Sequence, residues 1–83
     1  MPRSAKISME NVDKYVELGL NIAFYRKRAG MTQDQFSEKV GISRPYLGEI
    51  EAPNMVTAIS LEVLFNIARA LNIPPSKLLE FRD

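Results

Sequence analysis

The sequence has no cysteine, no histidine and no tryptophan among its 83 residues. Without cysteine there is no disulfide framework, no thiolate zinc site and no thiol nucleophile. Without histidine there is no imidazole general base and no imidazole metal ligand. Glycine is scarce, at four residues, and none of them builds a phosphate-cradling loop. The acidic residues show neither EF-hand spacing nor a paired-Asp motif. No enzymatic activity, no cofactor and no metal site is therefore expected. No apolar run approaches the roughly 18–20 residues needed to span a bilayer. The positive start Met1-Pro2-Arg3-Ser4-Ala5-Lys6 is not followed by an apolar segment of the secretory kind. No membrane association is expected, and the cytoplasm is the expected location. Net charge is also scarce: 11 Lys and Arg stand against 10 Asp and Glu, leaving +1.

What is present is an ordinary globular balance, with 46% apolar and 25% charged residues. A chain of this size buries about 60–68% of its unfolded surface and makes one small domain. Residues 1–10 lack apolar periodicity and read as a flexible N-terminal arm, with the domain proper over 11–83. Val12, Val16, Gly19, Ile22 and Arg26 recur at helical spacing, flanked by Leu18 and Tyr25, which predicts a first helix over 12–29. Arg26-Lys27-Arg28 complements the dipole of its last turn, and Gly30 stops it. Thr32-Gln33-Asp34-Gln35 has the form of a capping box and opens a second helix over 33–40, with Phe36, Ser37 and Val40 on its inner face. Ser43 opens a third over 44–51, in which Pro45 falls in the first turn, where its missing N–H is harmless. Tyr46, Leu47 and Ile50 form its buried side. Residues 52–59 carry no charge. Ser60 then caps a fourth helix whose expected apolar side is Leu61, Leu64, Phe65, Ile67, Ala68 and Leu71, with Asn72 as its stop. After Pro74-Pro75, Ser76 and Lys77 lead into a last short helix with Leu78, Leu79 and Phe81. No strand pattern is present, so the fold class is all-α.

Thr32 to Glu51 is the informative stretch. Two short helices are separated by Gly41-Ile42-Ser43, the spacing of a helix-turn-helix. Ser37 is small where the helices must approach, Gly41 stands where the chain needs positive φ, and Ile42 plugs the turn. On these residues the chain resembles the Cro/repressor, or XRE-like, helix-turn-helix family. The resemblance runs from Leu18 to Leu79. It includes Leu18-Gly19 with Ile22 and Arg26, Gly30-Met31-Thr32-Gln33, Phe36, Val40-Gly41-Ile42-Ser43, Tyr46-Leu47 and Ile50-Glu51. It continues through Ser60-Leu61-Glu62, Leu64, Ile67-Ala68, Ala70-Leu71 and Leu78-Leu79. It implies a compact five-helix, lambda-repressor-like DNA-binding domain, usually dimeric, with the helix at 44–51 in the major groove. It also implies that Arg26 and Glu51 pair and tie the first helix to the third. Two unrelated surface charges are the alternative.

Residues at the start of a recognition helix meet base edges. Arg44 is the expected base contact, with a planar fork that suits guanine O6 and N7. Pro45 offers an apolar face to a thymine methyl, or simply starts the helix. Glu49 accepts from cytosine N4, or stands as a solvated charge that disfavours wrong sequences. Gly48 marks a close approach of backbone to DNA or to another helix. Gln33 resembles the family's glutamine at the start of the second helix and suits a phosphate oxygen. Thr32, Ser43 and Tyr46 complete the expected contacts to the DNA backbone. Thr32 is mainly a cap, and core packing alone would also explain Tyr46.

The charge is unevenly divided: +3 over residues 1–30, −2 over 31–60 and zero over the rest. Double-stranded DNA is the expected partner, yet the helix-turn-helix itself is acidic, so few phosphates would be neutralised per chain. The loop 52–59, commonly basic in the family, is apolar here. Met55, Val56 and Ile59 are its candidates for a homodimer interface, or they fold back over the small core. Two functions follow: a sequence-specific transcriptional regulator, expected to repress from a near-palindromic operator, or an antitoxin-type or protein-interaction module that binds a toxin or other protein and DNA only secondarily.

Overall fold

Three hydroxyls set where helices begin, and three left-handed residues set where they end. The computed structural model describes residues 7–81. A 3-10 turn at Met9–Asn11 leads into α1 (Val12–Arg28), α2 (Gln33–Val40), α3 (Arg44–Glu51), α4 (Leu61–Leu71) and α5 (Pro75–Leu78). No strand occurs among the described residues. Most of the expected arm, residues 1–6, lies outside the described residues, and the arm's end at Met9 and Glu10 is already in the 3-10 turn. The Thr32 hydroxyl accepts from the Gln35 amide at 3.1 Å while Gln35 Oε1 accepts from the Thr32 amide at 2.9 Å. Ser43 Oγ accepts from the Tyr46 amide at 3.2 Å, and Ser60 Oγ from the Val63 amide at 3.1 Å. Each satisfies a donor that the first turn cannot.

Gly30, Gly41 and Asn72 carry φ of 78°, 90° and 58°. At these three points the chain reverses while later amides bond back into the finished turn: Met31 to Arg26 O, Ile42 to Ser37 O and Ile73 to Ala68 O, at 3.0–3.2 Å. The helix boundaries expected from the sequence therefore hold within one residue at α1, α2, α3 and α4. The last helix begins earlier than expected, at Pro75, because proline's fixed φ suits a first helical position.

The core takes one fully buried side chain from each helix: Ile22, Phe36, Leu47, Ile67 and Leu78. Each contributes about 1.5–3 kcal/mol by leaving water. Asn21, which the sequence did not single out, is buried beside them. Its amide donates to the carbonyls of Leu78 and Glu80 at 2.9 and 3.1 Å and fastens the chain after α5 to α1. Two expectations for α4 are corrected. Leu61 and Phe65 are 66% and 47% exposed rather than buried. The face that meets the core is the arc of Leu64, Ile67 and Ala68; Phe65 lies around the helix from it, and Leu61, at the first position of the helix, stands beyond the part of that face the core covers. Leu79 is likewise exposed, leaving Leu78 as the buried residue of α5.

Where α1 crosses α3, no side chain fits. A Cβ on Gly19 would fall on the carbonyl oxygen of Ile50, so only glycine permits this approach. Gly48 is different. Among the described residues no backbone of another helix makes the expected close approach, and a Cβ there would be 3.8 Å from Arg44 Nη1 and 3.9 Å from Gln33 Oε1, ordinary contacts. Gly19→Ala is expected to cost about 1–3 kcal/mol through forced separation of the helices. Gly48→Ala is expected to add about 0.5–1 kcal/mol by removing backbone entropy from the unfolded state. Urea unfolding of both variants checks this, and equal effects would contradict the packing described.

Candidate nucleic-acid interface

The turn between α2 and α3 is built from three residues with separate tasks. Gly41 takes the left-handed conformation, Ile42 drops half-buried onto the core, and Ser43 caps the next helix. Ser37 is buried at the bend, its hydroxyl donating to the Asp34 carbonyl at 3.1 Å. Leu47 and Ile50 anchor α3 inward. The opposite side of α3 is thereby exposed, and Arg44, Pro45 and Glu49 stand on it in solvent, as does Ser43 just before it. All the expected base-contact residues are therefore on accessible surface of one short helix.

Arg26 and Glu51 are paired and buried. Arg26 Nε and Nη2 donate to the two carboxylate oxygens at 2.7 and 2.9 Å, a bidentate fork. The remaining guanidinium nitrogen, Nη1, donates to the Met31 carbonyl at 2.8 Å. Gln33 joins this group: its Nε2 donates to Glu51 Oε1 at 2.9 Å. Its place was expected at a phosphate, and one of its two amide protons is instead directed inward. The buried carboxylate thus holds α1, the first residue of α2, and the end of α3 in one arrangement. No local motif in the sequence announces the link from Gln33, 18 positions before Glu51.

Arg44 extends beside Gly48 of its own helix and toward α2. Its Nε is 3.7 Å from Asp34 Oδ1, and both side chains are open to solvent. Such an exposed pair contributes about 0–1 kcal/mol and is readily exchanged for another anion. Tyr46 is half-buried, and its hydroxyl donates to the Ala58 carbonyl at 3.3 Å. The proton expected to serve a DNA phosphate is engaged in holding the 52–60 loop instead. Burial, and secondarily the nearby Glu49 carboxylate, raise this phenol above the ordinary tyrosine value. Thr32 is exposed, with its hydroxyl committed to the capping box.

The loop residues divide. Met55 and Val56 are exposed, whereas Ile59 packs against the core, so the fold-back reading holds for Ile59 and not for Met55 or Val56. Among the described residues no group of three or more carboxylates gathers as a metal site would require. No helix there is long and apolar enough to cross a membrane.

Two measurements check this arrangement. Arg26→Met strands the Glu51 charge in the interior and is expected to lose about 3–5 kcal/mol in urea unfolding, while Arg26→Met/Glu51→Leu recovers most of it. Tyr46 keeps its proton to higher pH when folded than when unfolded. Its contribution is therefore complete below about pH 10 and lost as pH rises through the folded value. Tyr46→Phe should remove a phenolate transition from the alkaline absorbance titration and weaken the fall in stability at that pH.

Comparison with known proteins agrees with this architecture. A helix-turn-helix family model matches residues 22–78, more than half of the chain. No curated protein sequence matches. The restriction-modification controller protein C.AhdI from Aeromonas hydrophila is 27% identical with a TM-score of 0.74, over 80% of this chain and 97% of that one. SinR, a master regulator for biofilm formation solved in complex with DNA, is 32% identical with a TM-score of 0.70, over 76% of this chain and 98% of that one. A complex of the SinR and SinI proteins also matches, with the same identity and TM-score, over 76% of this chain and 60% of that one. With α2 and α3 in the expected arrangement and the match extending from α1 to α5, the chain belongs to the XRE-type helix-turn-helix family of DNA-binding transcription regulators.

Proposed function

We propose that the chain is a sequence-specific repressor that binds a near-palindromic operator as a homodimer, with α3 in the major groove. The observation that carries this reading is the exposed start of α3, where Arg44, Pro45 and Glu49 stand on a helix held rigidly from behind by the Arg26–Glu51–Gln33 group. In this reading Arg44 leaves Asp34 for guanine, exchanging a weak surface pair for two directed hydrogen bonds. Pro45 meets a thymine methyl, and Glu49 accepts from cytosine or rejects other bases. The free amide proton of Gln33, the exposed Ser43 and the N-terminus of α2 beside Thr32 face phosphates. The exposed Lys27, Arg28 and Lys39 add long-range attraction, and the cytoplasm is the place of action.

The −2 charge over residues 31–60 limits affinity per chain. Dimerisation compensates by placing two recognition helices on half-sites about one DNA turn apart. A second reading, a protein-interaction module of the antitoxin type, is favoured by the exposed apolar side chains Met55, Val56, Leu61 and Phe65. It is also in keeping with the protein complex that SinR forms.

A random-site selection on duplex DNA, followed by salt titration of the enriched site, separates the two. A near-palindromic site is expected, and Arg44→Ala should relax one position in each half at a cost of about 1–3 kcal/mol in discrimination. Selection without an enriched motif would overturn the repressor reading and favour the protein partner.

A further inference from the structure

The outer face of α4 carries an unused pattern. Leu64, Ile67 and Ala68 point to the core, while Leu61, Glu62, Phe65 and Arg69 are all exposed. At about 100° per residue, Phe65 falls in the middle of this outer arc. Glu62 and Arg69 lie together on one flank of it and Leu61 lies on the other. An apolar strip with an acid at one end and a base at the other is costly to leave in water and chemically asymmetric along the helix.

Glu62 and Arg69 cannot satisfy one another, because seven residues of helix separate them by about 10 Å along the axis. Neither takes part in an ion pair among the described residues. Arg69 donates only to Asn66 Oδ1 within its own helix, at 2.7 Å. A second α4 laid antiparallel on the first resolves this. A two-fold axis between Phe65 and Asn66 brings residue 62 opposite residue 69 and residue 69 opposite residue 62. Antiparallel helices also bring matching flanks together, so both pairs form on the side where both residues already stand. An isologous contact has this property: if one residue meets a second, the second meets the first.

We propose that the face of α4 centred on Phe65 is the contact between two copies of this chain. Two Phe65 rings meet near the axis, Leu61 covers their edge, and two equivalent Glu62–Arg69 pairs close the flank. The occupant is a second copy because the charges are complementary under two-fold rotation, which an unrelated partner would not require. This rests on the dimer reading above and moves its centre from the 52–59 loop to α4. One helix face buries less than the roughly 800 Å² per partner of a standard interface. The dimer is therefore expected to dissociate with dilution in the micromolar range.

The test is sedimentation of the full chain from micromolar to millimolar concentration, with circular dichroism confirming that each variant stays helical. Glu62→Arg and Arg69→Glu each set like charges across the axis twice and should weaken the dimer about tenfold or more. An equimolar mixture of these two variants has only opposite charges across the axis and should dimerise close to wild type. Phe65→Asp should be monomeric. A wild-type chain that stays monomeric throughout overturns both this proposal and the dimer reading. A wild-type dimer indifferent to both charge reversals, but dissolved by Met55→Asp or Val56→Asp, overturns the α4 contact and leaves the dimer reading standing.

Discussion

Glu51 ends α3 with its side chain buried, and an ionised carboxylate in that position must be matched atom for atom. Arg26 supplies two donors from α1, and Gln33 supplies a third from the start of α2. The same guanidinium also holds the Met31 carbonyl, so the turn between α1 and α2 is drawn into the group. The outward-facing side of α3 depends on this inward-facing cluster. With three helices meeting at one charge, α3 cannot rotate about its own axis without stranding it. A buried pair of this kind adds little net stability over an apolar replacement, and its effect is to define one arrangement. The glycine at position 19 serves the same end by letting α1 approach the Ile50 backbone.

Rigid presentation matters here because electrostatic attraction is weak. The helix-turn-helix carries a negative balance, and Asp34 stands next to the one arginine on the exposed start of α3. A protein with many phosphate contacts tolerates imprecise geometry; one with few depends on the placement of each contact and on repeating it by symmetry. In the proposed dimer, the exposed apolar side chains of α4 or of the 52–59 loop would serve that repetition. They are costs to an isolated domain and become useful once a surface covers them.

The fold was largely legible in the sequence because its boundaries are written locally. Thr32, Ser43 and Ser60 cap the turns that follow them, and Gly30, Gly41 and Asn72 take the left-handed conformation that ends the turns before them. The candidate site was legible in part. Arg44, Pro45 and Glu49 stand on the accessible side of α3, as their positions beside Leu47 and Ile50 imply. The sequence points Gln33 to a phosphate and leaves Tyr46 between the DNA backbone and the core; each has a polar atom turned to a partner elsewhere in the fold, the Glu51 carboxylate for Gln33 and the Ala58 carbonyl for Tyr46. Asn21 gave no signal at all, since an amide at one helical position looks the same whether it meets water or the end of the chain.

The sequence by itself determined where α2, α3 and α4 start and stop and which residues form the turn of the helix-turn-helix. Those outcomes depend on hydrogen bonds and φ angles spanning three to five residues. Only the tertiary structure decided which apolar residues of α4 remain in water, how Gln33 is spent, and where α1 needs a glycine. Each of these depends on which other helix comes to lie alongside, and periodicity reports that a face is apolar without reporting what covers it.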